Sequence, residues 1–444
     1  MHDIPVGLGD ISPQWLTAAL RSGGFEGEVV SYESEIIGEG LGFLGDIVRI
    51  RPQPTPADPT LQSIILKIPT SLKNRNLGQT LGVYEREIRF YQELQSQLSI
   101  RTPVHLYSDM DVAPPEQAIK QLELLGKLPK WLARMLLPLA VRYGGQANKG
   151  YVLLLKDLGQ YRIGDQLAEG SASDMHLAID TLAMMHADFY AQPEKLTSYP
   201  WIIPFDTGAR FMQIMMDVTH RKFCEMYQER LSDRHLEIID WLVVNGDSFI
   251  ETMSSLPYTL LHGDYRMDNL CFDDANGELI VFDWQTLLQG PAGYDLAYFL
   301  ATTNTAVPVS ELLERYQAQM NQSGIALSSD RVRNEFEMGL LANIQRLLLL
   351  ATGDVDFGED RGPAVVDDAM ARLFQMSESI DLDRLLNWFR LPIRNSRKGP
   401  EGRRGVAWSG LKSQGGPTIR WLFAATMDDG MDPLHSANRL RNEP

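Results

Sequence analysis

The 444-residue sequence predicts an α+β protein of two lobes, a small antiparallel sheet with one main helix followed by a larger and mostly helical lobe. Three observations carry this expectation. Strand-like runs gather before residue 156, helical periodicity dominates after Gly164, and one strand-rich stretch at 259–285 interrupts the helices. Hydrophobic residues make up 44% of the chain against 22% charged, which is the balance of a folded protein with a substantial core rather than of a disordered one.

The elements follow in order. Ser12 reads as a helix N-cap with Pro13 at the first helical position, so a short helix is expected over 12–22. Strand-like runs lie at 29–37, 46–50 and 63–68, and the segment PQPTPADP between the last two reads as a surface loop. Val83, Ile88, Tyr91, Leu94 and Leu98 fall at helical spacing and predict one helix over 81–98. Further strands are expected at 102–107 and 151–155. Helices follow near 173–190, 207–228, 234–253, 310–323, 329–352, 365–376 and 381–389. Residues 1–155 are thus expected to form the first lobe and 156–389 the helical one. Within the first lobe, 109–150 is an insertion whose centre, QLELLGKLPKWLARMLLPLAVRY, is apolar and basic and is broken by Pro129 and Pro138. It reads as a helical insertion packed on the body, in preference to a membrane-surface patch over 120–142.

Charge and cysteine content narrow the function. The net charge is −17, opposite to the basic footprint that nucleic acid demands. It is uneven: residues 390–444 carry 10 Lys and Arg against 5 Asp and Glu, so residues 1–389 stand at −22. That acidic body reads first as plain solvation, and second as a field attractive to a cationic substrate. The basic, glycine-rich tail over 390–444 is expected to be largely disordered and outside the catalytic unit. Cys224 and Cys271 alone exclude a disulfide framework and a cysteine-based zinc site. The N-terminus lacks a signal-peptide pattern, and no uncharged apolar run reaches the roughly 18 residues of a spanning helix. A cytoplasmic protein is expected.

The chemistry concentrates in TLLHGDYRMDNLCFDDANGELIVFDWQ. An apolar strand ends at His262, Gly263 turns the chain, and Asp264 is left on a loop. Asn269 is expected to begin the next strand, 273–277 to form a hairpin turn, and Asp283 to stand at the exit of the returning strand. The hairpin brings Asn269 and Asp283 side by side, with Asp264 close by. Two hard-oxygen ligands beside a third carboxylate suit Mg2+, which takes one or two carboxylates and leaves room for phosphate oxygens.

His-Gly-Asp-x4-Asn followed by Asp-Trp-Gln resembles the catalytic and metal loops of the aminoglycoside and choline phosphotransferase superfamily, relatives of protein kinases. Asp283-Trp284-Gln285 and the downstream Gly-Pro-Ala-Gly-Tyr-Asp-Leu-Ala-Tyr most resemble its ecdysteroid-kinase-like branch. The likeness runs from about residue 36 to 389, without the insertion and the tail. It implies a bilobal protein-kinase-like fold, ATP and Mg2+ as cofactors, and transfer of the γ-phosphate to a hydroxyl of a small acceptor. Lys67, ending the run SIILK, matches the strand lysine that holds the α- and β-phosphates, and Glu87 its helix partner; Glu85 competes for that place. Asp264 is implied as the group that orients the attacking hydroxyl and accepts its proton, with Asn269 and Asp283 as the metal ligands. Arg266 is read as stabilising the transferring group, against an outward-facing loop arginine. Asp268 is read as a solvated loop carboxylate. His262 is expected to buttress the loop through a buried hydrogen bond, Asp295 to anchor it through backbone N–H groups, and His186 to pack close by. Gly38, Gly40 and Gly42 belong to a glycine-rich turn placed to cover phosphates, although Phe43 stands where kinases have a third glycine. The linker Lys156-Asp157-Leu158 departs from the family, which has an acidic residue at 156.

Two alternatives remain open at this level: a catalytically silent binding protein of the same fold, and an antibiotic phosphotransferase of aminoglycoside type. For the acceptor, the acidic body favours a cation, while the apolar insertion and the ecdysteroid-kinase-like motifs favour a lipophilic alcohol, the preferred reading.

Overall fold

Ser12 accepts the N–H of Trp15 at 3.0 Å and Pro13 opens the first turn, so the chain enters helix α1 (Pro13–Ser22) as its sequence implies. A five-stranded antiparallel sheet follows, in the order β1-β2-β3-β5-β4. Its strands are β1 (Glu28–Ile37), β2 (Gly45–Thr55), β3 (Ile64–Pro69), β4 (His105–Met110) and β5 (Tyr151–Lys156). This computed structural model describes residues 4–37, 45–69, 74–111, 119–120, 123–124, 132, 149–352 and 361–390. The turn bearing Gly38, Gly40 and Gly42, nearly all of the insertion's centre, and the tail from 391 lie outside those residues. The first compact unit runs from Met1 to Pro392 and holds everything described.

Two expectations for this lobe need correction. Half of the proline-rich segment is strand: Pro52, Gln53, Pro54 and Thr55 pair with β1, while β3 pairs with β2 only up to Ile50. Beyond Ile50 one side of β2 has no β3 partner, so prolines that donate no hydrogen bond are tolerated there. The single helix over 81–98 is instead α2 (Asn74–Leu81), α3 (Val83–Arg89), a π-helical turn at Phe90–Leu94 and a 3-10 turn at Gln95–Gln97. Gly82 breaks it, with φ +66° in the left-handed region that glycine enters freely.

After β5 come β6 (Arg162–Ile163), β7 (Glu169–Gly170), α4 (Ala172–Ala187), α5 (Pro193–Thr197), β8 (Ile203–Pro204), α6 (Phe205–Met226) and α7 (Asp233–Ser254). The interruption supplies β9 (Tyr258–Leu261), β10 (Leu270–Asp273), β11 (Glu278–Val281) and β12 (Leu288–Pro291). Helix α8 (Gly293–Thr302), β13 (Asn304–Thr305), α9 (Val309–Gln322), α10 (Ser329–Thr352), α11 (Arg361–Ser377) and α12 (Leu382–Arg390) complete it. Asn269 ends a 3-10 turn, and strand β10 begins one residue later.

Alternation along the sheet produces two cores. Ile64, Leu66 and Ile68 of β3 pack with Leu16, Val48 and Ile50 on the α1 side, which turns Lys67 to the opposite face. Strand β5 serves both: Val152 and Leu154 join that core, whereas Tyr151, Leu153 and Leu155 join the large core shared with the helical lobe. The result is the two-lobed α+β arrangement. Among the described residues, no helix is long and apolar enough to cross a membrane.

Candidate active site

Lys67 lies between β2 and β5, opposite Ile47 and Leu153, with its side chain on the face that meets α3. Its Nζ is 2.7 Å from Glu87 Oε1 and 2.9 Å from Asp283 Oδ1, although Lys67 and Asp283 are 216 residues apart in the chain. Burial alone would lower the ammonium's pKa, but the two carboxylates outweigh it and raise it, so Lys67 is charged. Glu85, the competitor, pairs with Arg89 one turn on instead.

Helix α3 and the π-helical turn that continues it are tied to the segment after β11 at two further points. Arg86 donates to the carbonyls of Gln285 at 2.9 Å and Leu81 at 2.6 Å, and its burial brings the guanidinium pKa down to about 10. Phe90 stacks on Trp284 at a centroid distance of 4.0 Å and an interplanar angle of 7°. Asp283 itself takes the left-handed conformation, φ +66°, uncommon for a residue with a Cβ and frequent at functional sites.

The loop 262–269 is held from several sides. Asp295 of α8 accepts the N–H of His262 at 2.6 Å and of Gly263 at 3.0 Å. Gly263 has φ +77°, and a Cβ there would stand 2.2 Å from the carbonyl oxygen of Thr286, so only glycine fits this turn. His262 donates from Nε2 to the Phe282 carbonyl and accepts the Asp264 N–H at Nδ1, which makes it a neutral, buried brace; burial lowers its pKa further. The Phe282 N–H donates to the Asn269 carbonyl at 3.1 Å, so the residue before Asp283 is laced to both ends of the loop. His186 lies 3.6 Å from Asp295 and bonds Tyr316, within the buried layer under the loop.

Asp264 receives four donors. Tyr298 Oη at 2.8 Å and Arg346 Nη2 at 2.9 Å reach Oδ1; Asn269 Nδ2 at 2.9 Å and Arg266 Nε at 3.1 Å reach Oδ2. Burial would raise this carboxyl's pKa, but the two guanidiniums and the tyrosine hydroxyl hold it well below the usual carboxylate range. Arg266 is not outward-facing: its other end bonds Gln166 and Asp268, both at 2.9 Å. Nor is Asp268 solvated, since it also accepts the Gln166 N–H and an ion pair from Arg361 of α11 at 2.8 Å.

The donor set fits a small hard cation. Asn269 spends its amide nitrogen on Asp264, so its side-chain oxygen is the atom that could ligate a metal, and Asp283 could add a carboxylate. No cluster of three His, Cys, Asp or Glu side chains arranged for a metal occurs among the described residues. Two protein oxygens are enough for Mg2+, whose remaining positions go to phosphate and water. In the linker, the N–H groups of Lys156 and Asp157 donate to Val104 and Ser63.

Sequence reasoning missed Tyr298 and Arg346. Each carried a signal: Tyr298 stands three residues after Asp295 and so on the same helical face, and Arg346 is a lone charge in LANIQRLLLL. Arg86 and Arg361 gave none that local pattern reveals.

The sequence model of the Ecdysteroid kinase-like family matches residues 39–327, well over half of the chain. The chain belongs to that family. The matched part of this ecdysteroid kinase-like protein takes in Lys67, Glu87, the 262–269 loop, Asp283 and Asp295, and ends before Arg346. No curated protein matches the chain. Similar solved structures include a macrolide 2'-phosphotransferase type I, at 15% identity and TM-score 0.46, over 84% of this chain and 99% of that one. A choline kinase from Cryptosporidium parvum gives 13% identity and TM-score 0.46, over 81% and 93%. A Plasmodium vivax ethanolamine kinase gives 13% identity and TM-score 0.43, over 81% and 84%. At these scores the structures add nothing to what the family match establishes.

Proposed function

We propose that this protein is an ATP-dependent phosphotransferase that moves the γ-phosphate to a hydroxyl of a small, lipophilic acceptor. One observation carries the reading: Lys67, Glu87 and Asp283 meet within hydrogen-bonding distance, and the residue before Asp283 is bonded to both ends of the loop that bears Asp264 and Asn269. Phosphoryl transfer asks little of a protein beyond positioning and charge neutralisation, and these groups supply both.

Lys67, fixed by Glu87, would leave Asp283 for the α- and β-phosphates. Asn269 and Asp283 would hold Mg2+, which when bound neutralises phosphate oxygens. Arg266 would turn from Asp264 to the transferring group. The acceptor oxygen forms a bond to the γ-phosphorus, the bond to the β,γ-bridging oxygen breaks, ADP departs with that electron pair, and the acceptor proton passes to Asp264. A carboxylate of such depressed basicity orients the O–H first and takes the proton only as the new bond acidifies it.

A neutral acceptor is supported by charge, and a lipophilic one by the ecdysteroid kinase-like family to which the chain belongs. Asp264 and Asp268 are the carboxylates of this loop, and both are paired with arginines, which leaves a cationic acceptor no free carboxylate there. A neutral alcohol meets no such mismatch.

The test is ATP consumption and phosphorylated product over a panel of sterols, other lipophilic alcohols, choline-like amines and aminoglycosides. Lipophilic alcohols are expected to yield product, and Asp264→Ala to lower turnover at least a hundredfold; turnover within a few-fold of the parent would reject Asp264 as the base. Asp283→Asn is expected to remove the Mg2+ dependence of nucleotide binding. ATP bound but never consumed would favour the silent binding protein.

A further inference from the structure

The occupancy of Asp264 has a consequence for which oxygen reacts. A carboxylate offers about four lone-pair positions, and here Tyr298, Arg346, Asn269 and Arg266 fill four. An acceptor hydroxyl needs one of them, so one donor must give way. The two oxygens differ in how firmly their donors are held. On Oδ2, Arg266 already has Gln166 and Asp268 as partners at its other end, and Asn269 also donates to the Asp264 carbonyl at 2.8 Å. Both keep hydrogen bonds when they leave.

On Oδ1 the donors are built in. Tyr298 rises from α8 three residues after Asp295, so one helical face grips the main chain of His262 and Gly263 and the side chain of Asp264. Arg346, from the C-terminal third of α10, clamps two consecutive residues by giving one Nη to the Gly263 carbonyl and the other to Asp264. Its guanidinium lies over the Tyr298 ring, 4.2 Å from the centroid. Helices α8 and α10 pack closely along this contact: Gly293 and Gly339 face each other so tightly that a Cβ on Gly339 would stand 2.0 Å from the Gly293 carbonyl oxygen.

We infer that Tyr298 and Arg346 are positioning residues that anchor Oδ1 of Asp264, and that Oδ2 is the oxygen that meets the acceptor hydroxyl and receives its proton. The inference rests on the phosphotransferase reading and extends it, since Arg346 lies beyond the part of the chain the family model matches. The pair fixes the carboxylate's rotation, so that the departure of Arg266 from Oδ2 exposes a lone pair already aimed at the acceptor.

The experiment compares the parent protein with Arg346→Met, Arg346→Lys and Tyr298→Phe. It uses water as the acceptor, reading single-turnover hydrolysis of γ-32P-labelled ATP with the protein in excess and above the dissociation constant, and Mg2+-ATP affinity by calorimetry. Arg346→Met is expected to slow phosphate release by about tenfold to a hundredfold, the scale of losing orientation in a site, with Mg2+-ATP affinity within about twofold of the parent. Arg346→Lys keeps the charge but cannot span both oxygens, so it recovers only part of the rate; Tyr298→Phe falls between it and the parent. Rates within twofold of the parent in Arg346→Met, or a loss confined to nucleotide affinity, would overturn the inference. A parent protein that binds no Mg2+-ATP rejects the phosphotransferase reading itself.

Discussion

Lys67 stands between two carboxylates in a largely buried site, and removing it would leave Glu87 and Asp283 facing each other without a cation. Deleting one partner of a buried ion pair costs about 3–5 kcal/mol, mostly through the charge left behind. Lys67→Met is therefore expected to lower unfolding free energy by about 3 kcal/mol in urea titrations, and adding Glu87→Gln to return part of it. The same scale explains what was legible beforehand. Lys67 was readable as the charge that ends the apolar run SIILK, and its role by resemblance; the alternation that turns it away from Ile64 and Leu66 appears only in the folded strand. Glu87 against Glu85 was decided by resemblance; the structure separates them through Arg89, which claims Glu85. Tyr298 and Arg346 stand 34 and 82 residues from Asp264, and that meeting exists only once α8 and α10 pack.

At the scale of elements, α3 and the turn that follows β11 behave as one piece. The salt bridge to Lys67, the Arg86 bond to Gln285 and the Phe90–Trp284 stack connect them at separate points. Phe90→Leu keeps an apolar side chain in place and removes the stack, worth about 1 kcal/mol. It is expected to reduce Mg2+-ATP affinity severalfold, measured by calorimetry, because Lys67 and Asp283 would lose their shared alignment. Most helices of the second lobe were visible as periodic apolar runs, whereas the break at Gly82 and the strand character of Pro52–Thr55 were not. A glycine inside a helical pattern leaves φ undetermined, and a proline at a sheet position is permitted only by knowing where β3 stops.

Over the whole molecule, Asp157 ties the sheet to the linker, accepting from Arg49 Nε at 2.6 Å and from Ser63 at 2.6 Å. Burial opposes its ionisation, but these donors prevail and its pKa is lowered. A depressed folded-state pKa contributes stability that is present above the unfolded value, about 3.9, and is lost as pH falls through the folded one. Melting temperature is expected to drop below about pH 4 in the parent and to fall less over that window in Asp157→Asn, which starts from a lower value at pH 7. The two-lobed architecture was legible from the order of strands and helices, since that order dictates which layers form. That one strand would serve both cores was not, because Tyr151–Leu155 reads as uniformly apolar and names neither neighbour.

That shared strand also determines how the chain divides. A gene severed after Lys156 would leave the N-terminal piece with Tyr151, Leu153 and Leu155 bare to water, and the C-terminal piece with a matching apolar scar. Neither fragment is a self-sufficient module, and the two are expected to clump when produced separately yet to reassemble when co-expressed, as light scattering and co-purification would register.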